Sequence, residues 1–373
     1  MVTEYKIIPS FAAKAAVKEE VRDEHSYFPH IVANKKLLAG LVDPNIPTTK
    51  SKRRQKKRQK NTPRPNLCLY PLDPTFPSKT EYTNTKIFYN DFKGIPMTYP
   101  ENSEHVRYVT RNLRELELRR DHKDVNNFNV IVGHPKEDKE IKTFVALKVS
   151  STRSKATLPQ MVKNSVLMDN MLELMPTVVR GGTRRGVESK YICYGHRKNP
   201  LDCMLGKYAF KPKISDEDKR KVKEGVEKWV RTIEGHGMQH LKRAQMANDG
   251  VDAFLHVKEM FQLPSISRKD GVATQLALAK GYCSPVHVDN DFFYSTLSCY
   301  DAKASPDQTL YHFCFPSYGV AIPMRSGDII VFNPLVPHCA SNPRLESSLI
   351  YSLYVSNKTC NTHVANRVNK DEN

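Results

Sequence analysis

The sequence predicts an α+β protein: a jelly-roll core at its C-terminal end, one supporting helix before that core, and an α/β extension towards the N-terminus. Three observations predict this. After Pro264 the pattern turns from helical periodicity to short apolar runs with turn punctuation. Six such runs fit within 85 residues, and a well-marked amphipathic helix precedes them. The runs are Val272 to Tyr282, Phe292 to Tyr300, Thr309 to Phe315, Gly319 to Met324, Asp328 to Phe332 and Ser348 to Ser356. Strands this closely spaced, separated by turns such as Ser305-Pro306-Asp307 and Ser326-Gly327-Asp328, suit a double-sheet barrel better than a wound α/β sheet.

The helix runs from Ser215 to Glu234. Ser215 and Asp218 form a capping-box-like start, and Val222, Val226, Trp229, Val230 and Ile233 recur on one face at helical spacing. That face is expected to pack on the following sheet, with the lysine-rich face in solvent, and Gly235 and Gly237 are expected to end the helix. His236 and His240 lie four apart, but a glycine separates them and no Glu follows the first, so they read as ordinary side chains rather than zinc ligands.

Upstream, residues 65–213 mix β-like runs (Lys86 to Asn90, Asn129 to Gly133, Thr143 to Ser150) with helix-like ones (Glu104 to Arg120, Leu158 to Leu174). Cys193, His196 and Cys203 invite a zinc site, yet they lack a fourth ligand and the paired CxxC spacing of structural zinc. The division that follows is 1–64 as a flexible basic segment, 65–213 as the extension, 214–271 as helical support, 272–358 as the core and 359–373 as a tail.

Charge is unevenly spread over this plan. The 373 residues carry 58 Lys and Arg against 40 Asp and Glu, a formal charge of +18, which points to polyanionic partners. Residues 1–64 hold 15 basic and 6 acidic side chains, whereas 272–357 hold 4 and 6, so the basic parts and the core are distinct. Between Lys50 and Lys60 the run KSKRRQKKRQK carries Lys52, Arg53, Arg54, Lys56, Lys57 and Arg58, and suits nuclear targeting or contact with nucleic-acid phosphates. The loop RGGTRRG, with Arg184 and Arg185, is a second candidate phosphate contact. The first twenty residues show no secretory h-region, no stretch is apolar enough to cross a bilayer, and eight scattered cysteines suit reduced thiols in nucleus or cytoplasm. Oligomeric state leaves no signature.

The chemistry-bearing residues lie in the core. In PVHVDND, His287 and Asp289 are two apart, so on an extended segment both side chains point to one side. A third ligand has to come from another strand, and His338 in NPLVPHCASNP follows the apolar run IIVF where a neighbouring strand would end. Two imidazoles and one carboxylate leave coordination positions open, as a non-haem Fe(II) centre needs for a co-substrate and dioxygen.

GYCSPVHVDND followed by SYGVAIPMRSGDIIVFNPLVPHCASNP resembles the double-stranded β-helix of the Fe(II)/2-oxoglutarate-dependent dioxygenases, and more narrowly the TET/JBP group that oxidises pyrimidine methyl groups in DNA. The resemblance covers roughly residues 270–358 and implies Fe(II) and 2-oxoglutarate as cofactors, dioxygen as co-substrate and DNA as partner. It also exposes a departure. The family places an Arg or Lys two positions before a serine on the penultimate strand to hold the distal carboxylate of 2-oxoglutarate; in SSLIYSLYVSNK the serine is Ser352 and that position is Ile350. Arg344 is the nearest basic residue, with Lys358, Lys280 and Arg325 further off. Either one of these replaces the anchor, or the co-substrate is ascorbate or another small reductant.

Substrate-facing candidates are Asn290 and Asp291, polar enough to read a base edge, and Tyr294, which with Phe292, Phe293 and Tyr300 is placed to stack on a base or to fill the core. The resemblance implies a dioxygenase acting on a methylated pyrimidine that is flipped from its duplex. Two other readings stay open: a protein side-chain hydroxylase with the same iron site, and an inactive DNA-binding protein of mobile-element type.

Overall fold

In the computed structural model of the chain, the residues described are 66–89, 106–109, 113–116, 128–134, 143–149, 157–178, 190–199, 201–202, 204–243, 254–255, 258–259, 261–267, 271–305 and 307–371. The basic run at 50–60, Arg184, Arg185 and Cys203 lie outside them.

The C-terminal third folds as a double-sheet barrel. Its main-sheet strands are β9 (Gln275–Lys280), β10 (Ser295–Tyr300), β13 (Ile329–Phe332) and β15 (Leu349–Tyr354), in the spatial order β13-β10-β15-β9 and all antiparallel. Facing it, β14 (Cys339–Ala340), β11 (Thr309–Phe315) and β12 (Val320–Arg325) form the smaller sheet in that order. The chain thus passes back and forth between two facing antiparallel sheets, which is jelly-roll topology. The segment carrying His287 joins the free edge of β14 through a single bridge to His338.

The extension does not form a layer of its own. β1 (Asn66–Pro71), β5 (Phe128–His134) and β6 (Thr143–Val149) continue the main sheet beyond β13, while β7 (Tyr191–Lys198) and β8 (Leu205–Lys207) continue it beyond β9, giving nine strands. Two short strands, β2 (Lys86–Tyr89) and β3 (Val106–Val109), pair with each other after helix α1 (Lys79–Asn84), and β4 (Arg114–Glu115) adds to the edge of β12. The helix expected over Glu104 to Arg120 is therefore wrong where it is described: Val106–Val109 and Arg114–Glu115 are strands. Val106, Tyr108 and Val109 are β-branched or aromatic, and pairing with a formed strand outweighed the weak helical spacing.

Helix α2 (Thr157–Leu174) and helix α3 (Asp216–Arg243) cover the outer face of the main sheet. Ser215 opens α3: its hydroxyl accepts the Asp218 amide at 3.0 Å, and three acidic residues fill the first turn. The stripe Val222, Val226, Trp229, Val230 and Ile233 is buried as expected, with the Trp229 indole edge-on to Tyr351 of β15 at 4.5 Å between centroids. The helix does not stop at Gly235 and Gly237 but runs on to Arg243. Gly237 lies against the sheet so closely that a Cβ there would meet Val331 Cγ2 at 3.0 Å, so this glycine serves close packing rather than termination. Helix α4 (Asn357–Asp371) follows β15. Among the described residues no helix is long and apolar enough to cross a membrane.

One apolar core lies between the helices and the main sheet, including Trp229, Phe254, Val331, Tyr351 and Leu353. A second fills the space between the sheets, with Leu297, Phe313, Phe315, Ile322, Ile330, Phe332 and Ile350. The period of two along each strand sorts the residues: Ile330 and Phe332 face inward, Ile329 and Val331 outward. Inside the barrel, on the side of β6 and β13, sits a fully buried ion pair, Lys148 Nζ to Asp328 Oδ2 at 2.8 Å; the same ammonium donates to the Pro323 carbonyl.

Candidate metal centre

His287 and His338 are brought together by backbone pairing. Each donates its amide to the other's carbonyl, at 3.0 and 2.9 Å, so two segments about fifty residues apart in sequence are locked side by side. Asp289 follows two residues after His287, its amide donating to the Pro334 carbonyl at 2.8 Å. The result is a cluster whose ligand atoms all lie within 4.8 Å of one another. Asp289 Oδ2 is 3.7 Å from His287 Nε2 and 3.4 Å from His338 Nε2. Donors bound cis at about 2.1 Å from one ion lie about 3 Å apart, so a small contraction suffices to close on a metal.

Both rings are already oriented for this. His287 Nδ1 lies 2.7 Å from the Pro285 carbonyl and His338 Nδ1 2.8 Å from the Val336 carbonyl, the same two-residue return in each case. A carbonyl only accepts, so each Nδ1 carries the proton and each Nε2 presents its lone pair towards Asp289. The His338 ring is held by aromatic neighbours, Phe332 at 4.9 Å and Phe313 at 5.4 Å between centroids, and its side chain is 2% exposed against 33% for Asp289. Solvent and ligands therefore approach from the carboxylate side. Two imidazoles and a carboxylate gathered on one side, with the other side open, form the donor set of a non-haem Fe(II) centre.

The three groups face a cavity of about 240 Å³ inside the barrel. Its metal end is lined by Gln275, Asp291, Tyr354 and Ser356, and its far end by Tyr191, Ala279, Tyr282, Ser284 and Ile350. Strand register places these ends. Gln275 pairs with Tyr354, Ala277 with Ser352 and Ala279 with Ile350, while Tyr191 of β7 pairs with Ala279. The small side chains of Ala277, Ala279 and Ser352 leave the floor open.

The remaining predicted site residues separate clearly. Ser352 lines the cavity midway along. Arg344 does not: it sits in the turn before β15 with its amide on the Leu310 carbonyl, and its charge acts on His312. Lys280 pairs with Asp169 at the surface and Arg325 lies 3.8 Å from Asp307, so neither reaches the cavity, nor is Lys358 among its lining residues. Asp291 lines the metal end, is buried, and accepts from Ser295 Oγ at 2.7 Å. Asn290 is exposed and accepts from Asn357 Nδ2 at 3.3 Å, outside the cavity lining. Tyr294 is a core residue, not a substrate contact: it is 2% exposed and edge-on to Phe144 at 5.3 Å, in the run Phe292-Phe293-Tyr294 before β10 that packs as a whole against the helices. Phe292, Phe293 and Tyr300 belong to the same helix-side core. His196 shares no metal cluster with Cys193; it lies 3.2 Å from the Ser265 carbonyl, and the His287, Asp289, His338 group is the one such cluster among the described residues.

No family model matches the sequence, and no curated protein matches it. Among solved structures the chain is similar to NgTET1 in complex with 5mC DNA, at 10% identity and a TM-score of 0.43, covering 76% of this chain and 88% of that one. It is also similar to a viral collagen prolyl hydroxylase from Paramecium Bursaria Chlorella virus-1 in its 2OG complex, at 14% identity and 0.29, covering 56% and 94%. A prolyl-4-hydroxylase from Pseudomonas putida is similar at 13% identity and 0.31, covering 57% and 92%. The fold and the site described above rest on this chain's own strand order and distances.

Sequence reasoning missed Tyr191, Gln275, Tyr282 and Tyr354 as cavity residues. Alternation along β9 and β15 would have found Gln275 and Tyr354 once the sheet was assumed. Tyr191 lies more than eighty residues before Ala279, and only the pairing of β7 with β9 brings it in.

Proposed function

We propose that the chain is an Fe(II)- and 2-oxoglutarate-dependent dioxygenase that hydroxylates the methyl group of a methylated pyrimidine in DNA, working in the nucleus. The observation that carries the enzymatic part is the convergence of His287 Nε2, His338 Nε2 and Asp289 Oδ2, with both Nδ1 protons fixed, on the mouth of an internal cavity. Iron(II) held by these three side chains would supply the redox chemistry that couples conversion of 2-oxoglutarate to succinate and carbon dioxide with hydroxylation of the substrate, each product taking one atom of the dioxygen.

The chain's own residues do the rest. Phe313 and Phe332 shield the His338 ring and keep water from that side of the site, while the exposed edge of Asp289 leaves the opposite side to the substrate. Asp291, next to the ligands and fixed by Ser295, offers an acceptor to the amino group of a base at the cavity mouth. DNA is preferred over a protein side chain because the chain's surplus of +18 lies outside a core that holds 4 basic and 6 acidic residues over 272–357. Phosphate contacts then hold the duplex while the core takes one flipped base.

The test is anaerobic Fe(II) binding followed by titration with 2-oxoglutarate, observing the metal-to-ligand charge-transfer band in the wild type and in His287→Ala. The band should form in the first and not in the second. Succinate release is then compared with duplex DNA carrying 5-methylcytosine or thymine and with proline-rich peptides. Turnover on peptide alone would replace DNA by a protein substrate, and iron bound without a band would remove 2-oxoglutarate from the reaction.

A further inference from the structure

Among the described residues, the cavity that would hold the 2-oxoacid has no Lys or Arg in its lining, and its charged side chains are Asp289 and Asp291. Among the described residues the barrel's buried lysine is Lys148, and its ammonium is already committed to Asp328 and the Pro323 carbonyl on the β13 side, away from the cavity lining. Arg344, Lys280 and Arg325 are held elsewhere. A dicarboxylate entering this cavity cannot pair its outer carboxylate with a fixed positive charge from these residues.

The far end is nevertheless polar. Tyr191 and Tyr282 line it as neighbours, their ring centroids 6.1 Å apart, and Ser352 stands between them and the metal end on β15. Along β9, Gln275 at the metal end and Ala279 at the tyrosine end are four residues apart, or about 13 Å at ~3.3 Å per residue. Ile350 occupies the wall beside Ala279 and contributes no donor, while Ser284 Oγ accepts the Ala340 amide at 2.9 Å, which fixes the hydroxyl without using its own proton. Phenol and alcohol hydroxyls donate short, charge-assisted hydrogen bonds to carboxylates, and several together can stand in for an ammonium or guanidinium.

We infer that the outer carboxylate of the co-substrate is bound by the neutral hydroxyls of Tyr191, Tyr282 and Ser352 in place of a cation. This rests on the oxygenase reading and specifies the co-substrate half of that site. An anchor of this kind selects a dicarboxylate 2-oxoacid over a monocarboxylate one through hydrogen bonds, so the selectivity depends on the tyrosine hydroxyls and not on Arg344, Lys280 or Arg325.

The experiment uses the full-length chain loaded anaerobically with Fe(II), and compares the dissociation constants of 2-oxoglutarate and 2-oxobutyrate from the charge-transfer band. The two share the chelating 2-oxoacid head and differ in the second carboxylate. Wild type should bind 2-oxoglutarate more tightly. In Y191F/Y282F, which keeps both rings, 2-oxoglutarate should weaken roughly 10- to 100-fold, the value of one or two hydrogen bonds to a charged group, with 2-oxobutyrate unchanged. Ser352→Ala should act in the same direction, and Arg344→Ala should change neither ligand. The inference is overturned if Y191F/Y282F leaves 2-oxoglutarate affinity intact, if both ligands weaken together, or if Arg344→Ala removes the preference. Iron binding with no band from either acid would instead remove the 2-oxoacid co-substrate from the proposed function, and with it the reading on which this inference rests.

Discussion

Replacing Lys148 by methionine offers a direct energetic test of how the barrel interior is built. The side chains of Lys148 and Asp328 are 0% and 2% exposed, and their charged atoms are 2.8 Å apart. Methionine keeps most of the volume and removes the ammonium, so packing changes little. Asp328 then keeps the hydrogen bond from the Arg325 amide at 3.0 Å but loses its counter-ion, and the Pro323 carbonyl loses its donor. Leaving one partner of a buried pair uncompensated costs about 3–5 kcal/mol. The assay is urea unfolding of the full-length chain, in which Lys148→Met should lower the midpoint by that free energy divided by the denaturant slope. Combining it with Asp328→Leu should restore much of the loss, since a buried pair exchanged for apolar residues of similar volume is often neutral. A cost under about 1 kcal/mol, the value of a solvent-exposed pair, would refute the argument that this pair is sealed from water.

Three further outcomes follow from named contacts. His338→Ala and Asp289→Ala should each abolish stoichiometric Fe(II) retention, measured by metal content after desalting, while leaving the far-ultraviolet circular dichroism unchanged; retained iron would move the centre elsewhere. The two glycines of α3 should respond oppositely to alanine. Gly235→Ala meets nothing within 4 Å and should stabilise by about 1 kcal/mol, whereas Gly237→Ala, whose Cβ would press on Val331, should lose about 1–3 kcal/mol, with equal shifts in thermal unfolding counting against the close approach. Burial pushes the Glu234 carboxyl up to about 7 from 4.5, despite the hydrogen bonds it accepts from the Val272 and Ala273 amides. A raised acid binds its proton more tightly when folded, so its stabilising contribution is complete below pH 4.5 and is lost as pH rises through 7. Glu234→Gln should flatten the stability profile across that window; an unchanged slope in urea midpoints between pH 4.5 and 7 would contradict it.

What was legible in the sequence was mostly local. The H-x-D spacing set two ligand atoms on one side of an extended segment, and the run before His338 marked a strand end, so all three groups were found without knowing how they meet. The stripe on α3 and the six core strands followed from periodicity. What failed depended on partners distant in the chain. The spacing of Glu104 to Arg120 looked helical because nothing local announces that β4 will lie along β12. Gly235 and Gly237 looked like a helix end because the sequence does not say that Val331 will sit beneath Gly237. Arg344 looked like the anchor because it is near in sequence, whereas the turn before β15 carries it to the side of His312. Tyr294 misled because the whole run Phe292-Phe293-Tyr294 before β10 turns into the helix-side core, which nothing local in the sequence announces.

The nine-stranded sheet bears on how this molecule can be dissected. β6 pairs with β13 through Ile329 to Phe332, and β7 pairs with β9 through Gln275 to Ala279, so both outer edges of the barrel's main sheet are completed by strands from residues 143–198. A fragment beginning at residue 272 would present two bare strand edges and would lack Lys148 beside Asp328 and Tyr191 beside Ala279. The barrel is consequently not a transplantable module. Chimeras that exchange it for another at the boundary near residue 272 should aggregate, and only exchanges that carry 66–358 as one piece preserve both the nine-stranded sheet and the cavity wall.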